Sequence, residues 1–474
     1  QLTSDVSHPK RIPPQTPRNA GQYTRLMTGY APPFDGVKTL HDLWESTCSR
    51  HSDEECLGTR DVAPDGTPGA YRWMTYGQLY DRRAACSSGY VAHGLKPGDH
   101  VGMYSVNTAE WCVLDSAMTR TALVSVPLYD TLGPDAVRFI CNHAELAAVC
   151  VSHACLPTML GCLAECPTVK LLVVYAHGGQ PLPPTPAGAG HACKVVTIEQ
   201  LEAEGRRRPV APVPPREEAM ATICYTSGTT GDPKGVMLTH RNLISNAAAY
   251  ADDLDLEPGD CHVSYLPLAH IYERVTMLVC LFAGAKAGFF RGDVLGLLDD
   301  IAELKPTVFC SVPRLWNRIY DKVHAGIREG GFVKQKMFAI AYAAKKKALE
   351  EGRAPPAIWE KIVFSKLRDK LGGRVRYMST GSAPISAQVM EFLRVCFGGT
   401  VFEGYGMTES ACVISKTHED DFSCGHVGSP VPCCEIKLEN VTEMNYTTSD
   451  RPYPRGEVCV RGPSVFKGYY KAQD

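Results

Sequence analysis

After the turn Pro97-Gly98-Asp99, short apolar runs of strand length alternate with segments of helix length, and this alternation constrains the fold most. Val101-Gly102-Met103-Tyr104-Ser105 reads as a buried strand, Ala109 to Thr121 as a helix, and Ala122 to Pro127 as the next strand. Upstream, a helix begins at Leu40-His41-Asp42-Leu43-Trp44 and another spans Tyr76 to His93. Strand, helix and strand in alternation indicate βαβ units, hence an α/β fold with mostly parallel sheets. The chain has 474 residues, room for roughly three units at about 150 residues each. With 44% hydrophobic and 21% charged residues it has globular, not disordered, composition.

Breaks in pattern divide the chain. Residues 1–37 are rich in Pro, Gly and Arg, lack periodicity, and read as an extended amino-terminal arm. A first α/β subdomain is expected over 38–215. It includes a Pro-rich break at Gly178 to Gly190, a strand at Lys194 to Ile198, and a second Pro-rich stretch from Pro209 to Pro215. A second α/β subdomain is expected over 216–423. Over 424–474, strand-like runs (Cys434 to Leu438, Glu457 to Val460) separated by turn residues indicate a small β-rich subdomain. No internal repeat is visible.

Charge and cysteine usage narrow the classes. Lys+Arg is 49 and Asp+Glu is 51, a net charge of -2, so no basic excess points to nucleic acid and the total gives no strong electrostatic handle on a membrane. Twenty cysteines scattered through apolar runs read as buried free thiols of a reducing compartment. The group Cys141, His143, Cys150, His153, Cys155, Cys162 and Cys166 has no standard zinc spacing. Asn445-Tyr446-Thr447 is a glycosylation sequon whose use the cysteine pattern argues against. No apolar run of about 18 residues exists. The longest candidate, Val275 to Phe290, is interrupted by Lys286 and reads as a core helix followed by a strand, with a membrane-contacting surface as the alternative. The chain opens on Gln1 with no signal-peptide apolar region.

The chemistry concentrates in a few segments. A strand at Ala221-Thr222-Ile223-Cys224-Tyr225 runs into Thr226-Ser227-Gly228-Thr229-Thr230-Gly231-Asp232-Pro233-Lys234-Gly235. A strand at Val236-Met237-Leu238 follows, then a helix from His240 capped by Thr239. Glycines let backbone N–H groups turn toward an anion, hydroxyls add donors, and Lys234 adds positive charge, so the loop suits polyphosphate. A flexible Ser/Thr/Gly hairpin loop is the plainer reading. It is not a Walker A loop, because Lys234 lies between Pro233 and Gly235. His270, in Tyr265-Leu266-Pro267-Leu268-Ala269-His270-Ile271-Tyr272-Glu273-Arg274, is a titratable donor among apolar neighbours, suited to a carboxylate or simply bonded in the core. Gly381, Ser382 and Ala383 form a turn small enough to let a planar base approach the backbone. In Glu403-Gly404-Tyr405-Gly406-Met407-Thr408-Glu409 the Tyr405 ring between glycines can stack on a base, and Glu409 is a hard oxygen ligand suited to Mg2+.

These segments, in this order, resemble the adenylate-forming superfamily of acyl-CoA synthetases, luciferases and peptide-synthetase adenylation domains. The resemblance runs from about Arg25 to Asp474. It implies the large amino-terminal domain of the acyl-CoA synthetase-like fold. Residues Ile223 to Lys234 would hold the β- and γ-phosphates of ATP. Gly381, Ser382 and Ala383 would contact adenine, as would Glu403 to Met407, with Tyr405 stacked on it. Thr408 would bond the α-phosphate, and Glu409 would hold the metal. Thr226, His270, Thr408 and Glu409 are thereby candidate catalytic residues. Val427 to Val431 and Arg455 to Tyr469 complete the series and are assigned no chemistry.

Further stretches resemble the long-chain branch, nearest its plant and algal peroxisomal-type forms: Ser125 to Pro134, Phe309 to Leu315, and Glu443-Met444-Asn445-Tyr446. The resemblance implies a long-chain fatty acid–CoA ligase using ATP, Mg2+ and coenzyme A. It also implies peripheral membrane association and a peroxisomal location, with endoplasmic reticulum or plastid envelope as alternatives. A ligase for another carboxylic acid, or a non-catalytic acyl or membrane-docking scaffold, are the competing readings. Family members continue past the position of Asp474 with a Thr-Gly-Asp segment, a hinge and a mobile lid carrying a catalytic Lys. The expectation is that residues 1–474 alone hold the nucleotide and acyl pocket but turn over little.

Overall fold

A computed structural model describes residue 34 and residues 36–176, 193–226 and 233–472. Residues 1–33 and 35 of the expected arm (1–37), the Gly178 to Gly190 break and the loop positions Ser227, Gly228, Thr229, Thr230, Gly231 and Asp232 lie outside the described residues.

In chain order the strands are β1 (Glu55–Val62), β2 (Pro68–Thr75), β3 (His100–Tyr104), β4 (Val124–Leu128), β5 (Ala148–Ser152), β6 (Leu171–Tyr175), β7 (Lys194–Thr197), β8 (Met220–Thr226) and β9 (Lys234–Thr239). They continue with β10 (Cys261–Ser264), β11 (Lys286–Phe289), β12 (Val308–Ser311), β13 (Tyr377–Thr380), β14 (Thr400–Met407), β15 (Cys412–Lys416), β16 (Ser429–Pro430), β17 (Glu435–Glu439) and β18 (Glu457–Arg461). The principal helices are α1 (Leu40–Arg50), α2 (Tyr76–Ala92), α3 (Ala109–Met118), α4 (Pro134–His143), α5 (Leu156–Cys162), α6 (Ile198–Arg207), α7 (His240–Ala251), α8 (Ile271–Phe282), α9 (Leu297–Leu304), α10 (Pro313–Glu329) and α11 (Gly331–Glu350), with a further helix at Ala387–Phe397.

Helix starts follow local chemistry. Thr39, Thr75, Thr197 and Thr239 cap α1, α2, α6 and α7. Each accepts from the backbone N–H three residues on, and that residue's side chain accepts from the cap's own N–H.

The strands build two large sheets. The first has the order β7-β6-β5-β3-β4-β8-β9 and is parallel except for the β8–β9 hairpin. The second has the order β16-β15-β14-β13-β12-β10-β11-β1-β2, parallel from β1 to β14 and closed at both edges by antiparallel strands. Strands β4, β5 and β6 are buried at every residue, as strands covered on both faces must be. A separate two-stranded β17–β18 ribbon forms the small β-rich part.

The sheets interleave along the chain, which corrects the expected division at 215/216. Strands β8 and β9 complete the first sheet, although they follow the Pro-rich stretch. The β1–β2 hairpin joins the second sheet by pairing β1 with β11. Proline marks where the chain cannot be a ladder strand, but it says nothing of which sheet edge the next strand will find. The run Val275 to Phe290 is core: α8 is buried from Ile271 to Leu281 and leads to β11. No helix among the described residues is long and apolar enough to cross a membrane.

After β18, the chain returns across the molecule. Lys467 N–H donates to the Met237 carbonyl, Met237 N–H to the Gly468 carbonyl, and Tyr470 N–H to the Gly235 carbonyl. Asn242 on α7 fixes the same segment by donating to the carbonyls of Pro463 and Val465. This return stroke brings Tyr469 beside the end of β14.

Candidate active site

The carboxyl ends of the strands are where an open α/β sheet places a ligand crevice. Here a cleft of about 320 Å3 lies between the two sheets' loops. It is lined by Thr226 from the end of β8, by His270 at the start of α8, and by Gly381 and Ser382 just after β13. Gly404, Tyr405, Gly406, Met407, Thr408 and Glu409, from β14 and the turn after it, form another wall. The sequence motifs singled out above thus converge from distant parts of the chain.

Each segment has a local reason for its position. Ser382 adopts φ +67°, a left-handed conformation that turns the chain sharply off β13 into the cleft rim. Strands β14 and β15 form a hairpin whose register shifts between Tyr405 and Gly406. A Cβ on Gly406 would stand 1.6 Å from the Cys412 carbonyl oxygen, so only glycine permits this approach. The irregularity bends the end of β14, so that Met407, still paired with Cys412, and then Thr408 and Glu409 run along the cleft wall.

His270 caps α8: its Nδ1 accepts from the Tyr272 N–H at 3.2 Å. Burial lowers its pKa, opposed by Glu273, so the ring is neutral near pH 7. With Nδ1 engaged as an acceptor, the neutral ring carries its proton on Nε2. Tyr272 and Tyr250 both bond the Ser379 hydroxyl, which closes a network beneath the cleft. Tyr250, Tyr272, Ser379, Thr380 and Lys416 line the cleft and were not singled out from the sequence. Lys416 is buried, pairs with Asp253 and donates to the Tyr250 carbonyl at 2.8 Å. Burial holds its ammonium below the usual lysine range.

Glu409 accepts from the Tyr469 hydroxyl at 2.8 Å, and its carbonyl accepts from the Phe466 N–H. Burial, reinforced by Glu409, pushes the Tyr469 phenol up to about 12, so it stays a donor. Lys234, exposed at the start of β9, stands 5.4 Å over the Tyr469 ring. Among the described residues no three His, Cys, Asp or Glu side chains converge on a metal position. The fit at Glu409 is that of one carboxylate, with the Thr226 and Thr408 hydroxyls on the same cleft, sharing a hard cation with a ligand's own oxygens.

Other expected contacts sit elsewhere. Ile223 and Cys224 are buried in β8, and Tyr225 turns its hydroxyl onto His143 at 2.6 Å, so none of these side chains lines the cleft. A strand alternates its faces, and only its end, Thr226, reaches the opening. Pro233, Lys234 and Ala383 also lie off the lining. Glu403 is buried and ties β14 to the neighbouring chain: its N–H donates to Thr417 Oγ1 at 3.0 Å, and its carboxyl accepts from the Ile385 N–H. Burial raises that carboxyl's pKa.

The geometry agrees with what the chain is similar to. It is 50% identical over 451 residues to long chain acyl-CoA synthetase 7, peroxisomal, of Arabidopsis thaliana, covering 95% of this chain and 64% of the relative. It is 51% identical over 455 residues to synthetase 6, peroxisomal, of the same plant, covering 96% of this chain and again 64% of the relative. The chain therefore spans just under two thirds of the length of these curated relatives. Among solved structures, the A-PCP didomain of a carboxylic acid reductase from Segniliparus rugosus, in complex with AMP, shares the fold. Its TM-score is 0.73 at 24% identity, over 93% of this chain and 62% of that one. The AMP-binding enzyme family matches residues 44–470, across both sheets and every wall of the cleft, and the chain belongs to that family.

Proposed function

We propose that this chain carries the carboxylate-activating site of a long-chain fatty acid–CoA ligase. The observation that carries the reading is the convergence of Thr226, His270, Gly381, Ser382, Tyr405, Thr408 and Glu409 on one cleft. Support for the substrate class comes from the two Arabidopsis relatives, both named long chain acyl-CoA synthetases. Both are also named peroxisomal, and a peroxisomal location is proposed with the activity.

In the first step a fatty carboxylate oxygen attacks the α-phosphorus of ATP. The Pα–O–Pβ bond breaks, and pyrophosphate leaves with the electron pair. In the second, the coenzyme A sulfur attacks the acyl carbon, AMP leaves with the electron pair, and the thiol proton is released. The first step needs positioning and charge neutralisation more than proton transfer. The Tyr405 ring would stack on adenine while Gly381 and Ser382 let the base approach the backbone. The Thr226 and Thr408 hydroxyls would donate to phosphate oxygens. Glu409, held by Tyr469, would hold Mg2+ with the Thr hydroxyls beside it. When bound, that ion supplies positive charge against the phosphates. His270, protonated on Nε2, would donate to the carboxylate as a neutral hydrogen-bond donor, without the tight ion pair a cation would form.

The test is fatty-acid-dependent exchange of labelled pyrophosphate into ATP, with palmitate and oleate against acetate and a coumarate-type acid. It is run on this chain and on the chain extended to its relatives' length. Exchange with the long chains alone is expected, rising in the longer protein. Exchange only with another acid would replace the substrate class. No exchange in either protein, with no Mg·ATP binding, would leave the non-catalytic scaffold.

A further inference from the structure

Between Pro313 and Arg376 the chain carries sixteen Lys and Arg against six Asp and Glu, while the whole chain has 49 against 51. The near-neutral total therefore hides a polarised molecule. This basic segment is largely the α10–α11 helical hairpin, whose outer surface is not ordinary. From Gly331 to Leu349, α11 contains five lysines and no acid. Its inner face packs through Ala341, Lys345 and Ala348. Its outer face presents Phe332 (69% exposed), Val333 (78%) and Ile340 (57%), with Lys336 between them and Lys347 two turns beyond Ile340. Single exposed apolar residues are common, but three on one helix face interleaved with lysine are not. On α10, Arg314, Arg318 and Lys322 recur at four-residue spacing on an exposed face. Among the described residues they make no ion pair. The segment after α11, joined to it by the Lys345–Glu360 pair, again exposes Ile358 and Ile362 beside Lys361 and Lys366.

We propose that the α10–α11 hairpin is a membrane-docking surface that seats on an anionic lipid bilayer. The lysines and arginines would face phosphate headgroups, and Phe332, Val333 and Ile340 would enter the headgroup–acyl boundary. The combination decides between polyanions: nucleic acid would use the charge and leave Val333 and Ile340 in water, whereas an anionic bilayer uses both. The inference does not rest on the chemistry of the cleft.

The experiment is vesicle co-sedimentation of the whole chain. Pure phosphatidylcholine vesicles are compared with vesicles holding about 30 mol% phosphatidylglycerol, at about 0.1 M and about 0.5 M salt. Binding is expected to be at least about tenfold tighter on the anionic vesicles and to weaken with salt. Phe332→Ser/Val333→Ser and, separately, Lys336→Glu/Lys347→Glu should each weaken it about tenfold, with unchanged thermal unfolding since these side chains are exposed. Phe332→Trp should shift its emission to the blue on vesicles and be quenched by brominated lipid. Binding by both double variants as tight as the wild type's, or a Phe332→Trp emission indifferent to vesicles, would overturn the proposal. So would binding to RNA that survives in the Phe332→Ser/Val333→Ser variant while vesicle binding is absent. A dimer in solution that the same variant dissolves would instead assign the face to a second copy of the chain.

Discussion

His262 on β10 and Glu273 on α8 form a pair with 0% exposure on either side, His262 Nε2 to Glu273 Oε1 at 2.9 Å. Three residues before Glu273 stands His270, and one residue before it Tyr272, so this pair fixes the turn of α8 that enters the cleft. Among the described residues, His262 Nδ1 and Glu273 Oε2 have no further partner. The two single removals should differ. Glu273→Met leaves the buried imidazole of His262 without its hydrogen-bond partner, at a cost of about 1–3 kcal/mol. His262→Leu strands a buried carboxylate, at about 3–5 kcal/mol. The double variant strands nothing, so it should be more stable than the sum of the singles by about 2 kcal/mol or more. Denaturant unfolding of the four proteins closes the cycle, and pyrophosphate exchange follows the consequence at His270. Single costs that are equal, and add to within about 0.5 kcal/mol in the double variant, would refute the reasoning.

Other outcomes follow from the same geometry. Tyr469→Phe removes the hydroxyl that holds Glu409. It should raise the Mg2+ concentration needed for nucleotide binding roughly three- to tenfold, about 1 kcal/mol for a half-exposed charged hydrogen bond, read by titration calorimetry at varied Mg2+. Gly406→Ala places a Cβ on the Cys412 carbonyl and must push the β14–β15 hairpin apart. ATP affinity should fall at least about tenfold while far-ultraviolet circular dichroism stays unchanged. His240 accepts from the Leu40 N–H, and burial, opposed by Asp42 and aided by His41, lowers its pKa from 6.5 to about 4. Between these values the unfolded chain binds the proton and the folded one does not. The contribution is therefore complete above pH 6.5 and is lost as pH falls toward 4, about 3 kcal/mol in all. Denaturation at about pH 7.5 and about pH 4.5 should show that loss in the wild type and a smaller one in His240→Asn.

Much of this was legible before the structure. Local signals carried the elements: Thr239 starts a helix because its side chain satisfies a backbone donor that the helix leaves open. The apolar runs Val101 to Ser105 and Ala122 to Pro127 become β3 and β4 with minor shifts at their ends. The cleft wall Gly404 to Glu409 was readable as a candidate site because small residues and hydroxyls recur there without an apolar period, and His270 because it is a titratable donor among apolar neighbours. Strand pairing was not readable. Nothing local tells β8 to join β4 or β1 to join β11, since that choice depends on edges made elsewhere in the chain. Side-chain direction within β8 was lost for a related reason: consecutive residues share a motif but not a face, so Thr226 reaches the cleft and Ile223, Cys224 and Tyr225 do not. Tyr469 was passed over because its role depends on the return stroke of the chain. The charge of α10 and α11 was averaged away in a total near zero.

The most direct test of the cleft as a Mg·ATP site is equilibrium binding of ATP to the wild type and to Glu409→Gln, each with and without Mg2+. The account predicts that Mg2+ strengthens binding to the wild type at least about tenfold and barely changes binding to the variant, with similar weak affinities for both when Mg2+ is absent. Equal, Mg2+-dependent binding by both proteins would contradict the assignment of Glu409, and no binding to either would contradict the site itself.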